Sequence, residues 1–313
     1  MKILITGGLG FIGSFFAEKL AIDNEKIIIL DNFTGYSEMA KNHLEKIKNI
    51  EIHDVDITKK NIYKYFEGVD IVYHFAANSK ISEGVNNPEI DFNISAYGTH
   101  NVLMGMLVNE VKRIVFSSGS GVYGDQNEVE LFEDFGPLLP VSFYGASKLC
   151  AEAYISAFVG MKGMKAYIFR FANVVGYRQT HGVAYDFFHK LKNNSKELQV
   201  LGNGMQSKSY IDIGDIFAAI QLVVNKQKDN IDVYNIATTD YLTVREIAQI
   251  TINKMGLENV NILYGDTNAG WVGDVPIIRF STKKIRNLGW VNKYSSGEAI
   301  ANAVEQLITY DNS

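Results

Sequence analysis

Tyr144 and Lys148 open a segment of helical periodicity, Tyr144-Gly145-Ala146-Ser147-Lys148. Residues four apart share one face of a helix, so the Lys148 ammonium can lie beside the Tyr144 phenol. A free tyrosine titrates near 10. A neighbouring cation favours its ionised form, so the pair can supply a base nearer neutral pH. A lone tyrosine and lysine at this spacing is more often a half-buried aromatic beside a solvated amine, so the reading depends on what surrounds them. About 25 residues earlier runs Phe116-Ser117-Ser118-Gly119-Ser120-Gly121-Val122-Tyr123-Gly124, a hydroxyl-rich stretch at the C-terminal end of a predicted strand. Open parallel sheets bind ligands beyond such strand ends.

A second constellation opens the chain. The predicted strand Ile3–Thr6 runs directly into Gly7-Gly8-Leu9-Gly10-Phe11-Ile12-Gly13 and then a helix. Glycines at 7, 10 and 13 permit a tight turn, close approach of backbone to a pyrophosphate and close packing of helix on strand, while the helix N-terminus offers free N–H groups. Asp31 follows Gly13 by 18 residues, at the end of the second predicted strand. There a carboxylate accepts hydrogen bonds from a ribose 2′-hydroxyl and repels the 2′-phosphate of NADP, so the expected cofactor is NAD. Asp56, after the third strand, is either an adenine contact or the cap of a helix starting near Lys59.

These residues need a frame. Apolar runs at Ile3–Ile5, Ile27–Leu30, Ile50–His53, Ile71–Phe75, Ile114–Phe116 and Ala166–Phe169 read as buried strands. Helical patterns at 11–22, 37–47, 59–66, 90–109 and 145–160 alternate with them. Such alternation predicts a doubly wound α/β domain with a mostly parallel sheet, a Rossmann fold. Beyond residue 170 the rhythm loosens: loops rich in Gly, Asn and Ser separate predicted helices at 183–192, 213–226, 243–255 and 297–310. The expected division is a dinucleotide-binding domain over 1–172 and a smaller substrate lobe over 173–313, closing over the sheet as one compact unit, with interleaving segments allowed. All four prolines fall outside the predicted strands, as ladder hydrogen bonding requires.

Composition narrows the class. The 313 residues are 47% hydrophobic and 21% charged, which is globular composition. A net charge of −5 with scattered Lys and Arg argues against nucleic acid as a partner. A single cysteine, Cys150, excludes an internal disulfide and points to a reducing compartment, the cytosol by default. No apolar run is long enough to span a membrane, and the apolar stretch after Met1 is too short for a signal peptide. The six histidines lack metal-ligand spacing, so no metal is expected and His74 should pack at a strand end.

Taken together the motifs resemble the extended short-chain dehydrogenase/reductase superfamily, and within it the NAD-dependent nucleotide-sugar epimerases and dehydratases, UDP-glucose 4-epimerases above all. The resemblance is carried by the Gly7/Gly10/Gly13 turn, Leu30-Asp31-Asn32, His74-Phe75-Ala76-Ala77, Asn93, Val122-Tyr123-Gly124, Tyr144/Lys148 and Arg170-Phe171-Ala172-Asn173. It continues through Gly202-Asn203-Gly204, Tyr210-Ile211-Asp212, Gly273-Asp274-Val275-Pro276 and Leu288-Gly289-Trp290. It implies that Tyr144 takes the proton from the sugar 4-hydroxyl while C4 gives hydride to NAD, and that Lys148 holds the nicotinamide ribose and lowers the Tyr144 pKa. A 4-keto sugar then turns over and receives the hydride on its other face. Phe11, Ile12, Asn32, Ile57, Phe75, Ala76, Ala77, Asn93 and Ser117 fall with the cofactor. Asn173 falls near the substrate diphosphate, and Lys208, Tyr210 and Asp274 where the second lobe grips the nucleotide of a UDP-sugar.

The departures are as informative. The family carries Ser or Thr where this chain has Gly119, so Ser120, or else Ser118, should relay the proton. The carboxylates that dehydratases place before Val-Tyr-Gly are here Ser120-Gly121. The family's diphosphate-clamping Arg is here Trp271: Arg279, nearby in sequence, could replace it, and the Trp could equally stack on a base or simply pack. Ile278 occupies a position that lines the sugar pocket in resembling enzymes, and its small apolar side chain should admit N-acetylated sugars. In relatives the helices matching 90–109 and 145–160 pair across a dimer, so a homodimer is expected. A nucleotide-sugar 4-dehydrogenase or 4-ketoreductase is the alternative that Gly119 leaves open. A noncatalytic nucleotide-binding protein would have no use for an aligned base and ammonium.

Overall fold

The computed structural model describes residues 1–79 and 83–311. The first elements are β1 (Lys2–Thr6), α1 (Phe11–Ala21), β2 (Lys26–Asp31), α2 (Glu38–Leu44), β3 (Ile50–Asp54), a 3₁₀ turn (Lys60–Phe66) and β4 (Ile71–His74). Then come α3 (Glu83–Asn86), α4 (Pro88–Asp91), a π-helical segment (Phe92–Tyr97), α5 (Gly98–Val108), β5 (Arg113–Gly119), a 3₁₀ turn (Ser120–Tyr123) and β6 (Glu130–Leu131). The middle of the chain carries α6 (Phe143–Lys162), β7 (Lys165–Phe171), β8 (Asn173–Val175), α7 (Val183–Asn193), β9 (Glu197–Val200), β10 (Ser207–Lys208), β11 (Tyr210–Asp212) and α8 (Ile213–Lys226). The remainder is β12 (Ile231–Ile236), β13 (Leu242–Thr243), α9 (Val244–Lys254), β14 (Asn261–Tyr264), β15 (Arg279–Phe280), α10 (Lys283–Asn287) and α11 (Ser296–Asp311).

Two compact units emerge. The first holds Met1–Val122, Ser142–Arg170 and Val223–Val233; the second holds Tyr123–Val141, Phe171–Leu222 and the chain from Tyr234 onward. Relative to the expected division near residue 172, the stretch 123–141 goes with the second unit and 223–233 with the first. The cause of the second exchange is β12, which joins the sheet beside β7. Asp232 and Asn235 interrupt its apolar run, which is why the sequence pattern does not reveal it.

In the first unit a sheet of strand order β12-β7-β5-β4-β1-β2-β3 forms the frame. The pairs β1–β2, β1–β4, β2–β3 and β4–β5 are parallel, with Ile3 opposite both Ile27 and Ile71. Strands covered on both faces must be apolar throughout, and Ile3, Leu4, Ile5, Ile27, Ile29 and Leu30 are fully buried. On one face Leu4, Val72, Ile114 and Ile168 meet Val102 and Met106 of α5 and Ala151 and Ile155 of α6. Phe16 of α1 instead packs its ring against Tyr73 and Phe75. The chain reverses its winding between β1 and β4, so their C-terminal ends, at Gly7 and Phe75, diverge into the crevice where such sheets bind ligands.

Local chemistry sets the helix ends. The Ser142 hydroxyl accepts from the Gly145 N–H at the start of α6, and Gly163 closes that helix in the left-handed region at φ 64°. The helix expected over 90–109 forms, but as α4, a wider π-helical turn and α5. The second unit has its own core, in which Phe187 and Leu191 of α7, Ile247 and Ile252 of α9, and Ile300 and Val304 of α11 pack on Leu198 and Tyr210. A capping box between Thr243 and Glu246 starts α9. Among the described residues no helix is long and apolar enough to cross a membrane.

Candidate active site

The turn between β1 and α1 is built to take a backbone-hugging ligand. Gly7 has φ +66°, and a Cβ there would come within 2.7 Å of the Ala76 nitrogen. A Cβ on Gly13 would lie 2.1 Å from the Gly7 carbonyl oxygen, so neither position tolerates a side chain. Helix α1 starts at Gly10 with no side-chain cap and no acid in its first turn, which leaves its N–H groups and positive dipole end for an anion. Phe11 is buried and Ile12 half-buried in that first turn. Asp31, 8% exposed, accepts hydrogen bonds from the backbone N–H groups of Leu9 and Phe33, each at 2.9 Å. Burial raises its pKa, against the lowering effect of those two bonds. A carboxylate has roughly four acceptor sites, so Asp31 ties the glycine turn to the end of β2 and keeps capacity for a ribose diol. These features fit the pyrophosphate and adenine ribose of a dinucleotide.

The opposite wall of the crevice is held by a buried relay. The Ala76 N–H donates to Thr6 Oγ1 at 3.3 Å, Thr6 bonds His74 Nδ1 at 2.6 Å, His74 Nε2 bonds Thr99 Oγ1 at 2.8 Å, and the Thr99 hydroxyl donates to the Ser95 carbonyl. Because Thr99 spends its proton on Ser95, His74 must donate from Nε2 and accept at Nδ1. The relay fixes a neutral imidazole and orients Phe75, Ala76 and Ala77. Burial, then the Lys148 charge, depresses the His74 pKa from 6.5 to about 3. The unfolded chain therefore takes up a proton below 6.5 that the folded protein refuses. This stability is present above pH 6.5 and is lost progressively as pH falls toward about 3. Over that window wild type should lose on the order of 4 kcal/mol more than His74→Asn, measured by denaturant unfolding at a series of pH values. Parallel pH curves for the two proteins would refute the assignment.

Tyr144 and Lys148 meet on the first turns of α6, with the ammonium 5.7 Å from the Tyr144 ring and 4.9 Å from that of Phe116. Lys148 is 2% exposed and donates to the Ser117 carbonyl at 2.7 Å, which pins it to the end of β5. The Ser117 hydroxyl in turn donates to the His74 carbonyl at 3.3 Å. Burial draws the Lys148 pKa down to about 8, opposed by Glu152 and Asp91. Burial, then the negative charge of Asp91, pushes the Tyr144 pKa up to about 12, an influence opposite to that expected from Lys148. Spacing along α6 reveals the lysine but neither the burial nor the carboxylate brought in from α4.

Behind this pair lies a second set of charges that the sequence pattern did not single out. Arg170 and Glu152, 4% and 7% exposed, form a two-pronged pair, Nε to Oε1 at 3.0 Å and Nη2 to Oε2 at 2.7 Å. The Ser118 hydroxyl donates to Glu152 Oε1 at 2.5 Å. Ser118 is thus committed to the ion pair, while Ser120 sits half-buried in the 3₁₀ turn that follows β5. A Cβ on Gly121 would come within 3.3 Å of the Gly145 Cα, so this turn lies close against α6 beside Tyr144.

Other expected cofactor residues have local duties. Asp56 does not cap the 3₁₀ turn after it, which has no side-chain cap; it accepts instead from the Thr58 N–H at 2.8 Å. Ile57 is buried against Gly98. Asn32 accepts from the Thr34 hydroxyl and N–H, and Asn93 is exposed on the π-helical segment.

In the second unit Asn173 lies opposite Tyr210 in the β8–β11 ladder. Lys208 pairs with Asp274 at 2.6 Å, and the second Asp274 oxygen accepts from the Gly270 N–H at 3.1 Å. Burial, then Asp274, raises the Tyr210 phenol. Arg279 is engaged by Glu128 at 2.7 Å and by the Ser207 carbonyl at 3.0 Å, and stacks on Tyr241, so it has few donors left for a diphosphate. Ile278 is 5% exposed.

A doubly wound parallel sheet with a glycine-turn dinucleotide cradle and a Tyr-x-x-x-Lys pair at its strand ends defines a nucleotide-cofactor enzyme that moves a proton and a hydride. The model of the NAD dependent epimerase/dehydratase family matches residues 3–237, and the chain belongs to that family. A Methanocaldococcus jannaschii protein named "Putative UDP-glucose 4-epimerase" is 33% identical over 97% of this chain and 98% of its own length. Among solved structures, a Thermus thermophilus UDP-glucose 4-epimerase in complex with NAD is similar with a TM-score of 0.87 at 28% identity, covering 98% of this chain and 99% of that one. The dTDP-glucose 4,6-dehydratase DesIV of Streptomyces venezuelae, with NAD bound, is similar with a TM-score of 0.90 at 25% identity, covering 100% of this chain and 98% of that one.

Proposed function

We propose that the protein is an NAD-dependent nucleotide-sugar 4-epimerase that interconverts UDP-hexoses of gluco and galacto configuration through a transient 4-keto sugar. The observation that carries the reading is the pairing of Tyr144 with a buried, carbonyl-anchored Lys148 beside a Ser118–Gly121 segment without a carboxylate. NAD, when bound, supplies a hydride acceptor that becomes the donor for the return step. Ionised Tyr144 accepts the O4 proton as the C4–H hydride leaves, and returns it when hydride arrives on the other face, so no net oxidation occurs. Lys148 offers its remaining protons to the Tyr144 oxygen and the cofactor ribose. Ser120 is the proposed relay, since Ser118 is spent on Glu152. The absence of an acid–base carboxylate pair at Ser120-Gly121 disfavours loss of water across C5 and C6, the chemistry of the dehydratase relatives.

Asn173, Lys208, Tyr210 and Asp274 are the proposed grip on the nucleotide, with Arg279 and Ile278 as secondary candidates. Tolerance of N-acetylated sugars is part of the same proposal. A homodimer is supported by apolar side chains exposed on the π-helical segment, α5 and α6, among them Phe92, Tyr97, Val108, Tyr154 and Met161. The single cysteine supports a cytosolic location.

With Asp31 in place, NAD should bind more tightly than NADP by on the order of 1–3 kcal/mol, measured by fluorescence titration; equal affinities would remove Asp31 from the cofactor site. The functional reading is tested by supplying UDP-glucose in large excess over NAD. Sugar should convert with no net rise in NADH absorbance. NADH accumulating in step with product would assign a dehydrogenase instead.

A further inference from the structure

Asp91, Lys148, Glu152 and Arg170 are charged side chains buried in the first unit, each under 9% exposed. Glu152 and Arg170 satisfy one another through their two-pronged pair. Asp31, also buried, is bound by the Leu9 and Phe33 N–H groups, which leaves Lys148 and Asp91. Lys148 reaches a neutral acceptor, the Ser117 carbonyl. Asp91 is 1% exposed; its Oδ1 accepts from the Asn78 amide at 3.1 Å, and its buried Oδ2 has no hydrogen-bond partner among the described residues. That oxygen looks onto Gly84, where a Cβ would stand 2.2 Å from it, so α3 lies close over the carboxylate. Burying a carboxylate with one donor is costly unless an opposite charge compensates. α3 and α4 pack on α6, and the cation acting on Asp91 from there is Lys148.

We infer that Asp91 is a positioning residue of the reaction centre: as the buried counter-charge of Lys148 it sets the pH range in which protonated Lys148 and ionised Tyr144 coexist. The inference rests on the epimerase reading, which assigns those two states to the working enzyme. The sign is opposite for the two partners in effect but the same in direction. The negative charge of Asp91 holds the proton on Lys148, which favours the working form, and holds the proton on Tyr144, which opposes it. The remaining titratable neighbours are occupied elsewhere. Glu152 of α6 is bound to Arg170 of β7 and to Ser118 of β5. His74 of β4 is neutral between two threonines. His100 of α5 packs on the Tyr154 and Phe158 rings, and Glu83 and Glu89 of α3 and α4 are exposed.

Asp91→Asn keeps the shape and removes the charge. Both limbs of its kcat/KM–pH profile for UDP-glucose should move to lower pH by about one unit, with NAD present throughout. Asp91→Ser, smaller and equally uncharged, should give the same displacement. A lower rate with both limbs where wild type has them would mean that Asp91 only supports packing, and would overturn the inference. A second readout needs no turnover: the tyrosinate absorbance of each protein minus that of its Tyr144→Phe counterpart, titrated with NAD added. Its midpoint should fall by a similar amount in both variants, and an unchanged midpoint also overturns the inference. If wild type fails to epimerise, the functional reading fails while this titration still decides the role of Asp91.

Discussion

Tyr144→Phe is expected to lower the epimerisation rate by about 10²–10⁴-fold while NAD and nucleotide-sugar binding stay within a few-fold of wild type. Phenylalanine keeps the ring that rests beside Lys148 and takes away only the oxygen proposed to exchange the O4 proton. The raised Tyr144 pKa sharpens this expectation. Burial and Asp91 push the Tyr144 pKa up to about 12, and burial draws that of Lys148 down to about 8. A positive charge brought next to the phenol favours ionisation, and oxidised nicotinamide is such a charge. On the proposed reaction, oxidised cofactor bound beside Tyr144 would favour the ionised base. A Tyr144→Phe variant that turns over normally would remove Tyr144 from the chemistry and leave the buried Lys148 without a task.

The largest stability effect should come from Arg170→Ala, which is expected to cost about 3–5 kcal/mol. The cost is less the lost attraction than the stranded Glu152 carboxylate. With Arg170 gone, a side chain 7% exposed would keep only the Ser118 hydroxyl as donor. Replacing both partners with apolar residues of similar volume should cost far less, because no unpaired charge remains. Urea unfolding of Arg170→Ala, Glu152→Leu and the double variant Glu152→Leu/Arg170→Met measures this. If Arg170→Ala were no less stable than the double variant, the buried pair would not be what holds β7 to α6. Glu152→Leu, which removes the acceptor, should also free Ser118 to turn, so a gain in tolerance to Ser120→Ala in that background would be a secondary sign.

What the sequence discloses and what it hides follow from the range of the interactions. The glycine turn, Asp31, and Tyr144 with Lys148 depend on spacings within one strand–turn–helix unit or one helix, and both reading and structure put them at strand ends. The Ser142 cap and Gly163 stop make α6 equally local. The Arg170–Glu152 pair, the approach of Asp91 to Lys148 and the Arg279–Glu128 pair join residues whose spacing obeys no helix or strand period. They exist because the sheet and its covering helices bring distant segments together. For the same reason the influences that raise the Tyr144 pKa are hidden: the lysine one turn away is visible in sequence, whereas the burial and the carboxylate of α4 are not. Strand β12 was missed because Asp232 and Asn235 break its apolar run, yet Asn235 has a defined use, accepting from the Tyr123 hydroxyl at 2.7 Å and donating to the Leu131 and Ser281 carbonyls. Arg279, expected to be free for a diphosphate, spends its charge on Glu128, and nothing in the local sequence around either residue signals that.

The central claim is that hydride leaves and returns at C4 without any other change to the sugar. Proton NMR of UDP-glucose incubated with the enzyme and catalytic NAD tests it most directly. The account predicts that UDP-galactose signals grow to a fixed ratio that is also reached from UDP-galactose, with no other sugar product. A 4-keto-6-deoxy sugar as the product, or an unchanged UDP-glucose spectrum with NAD demonstrably bound, would contradict it.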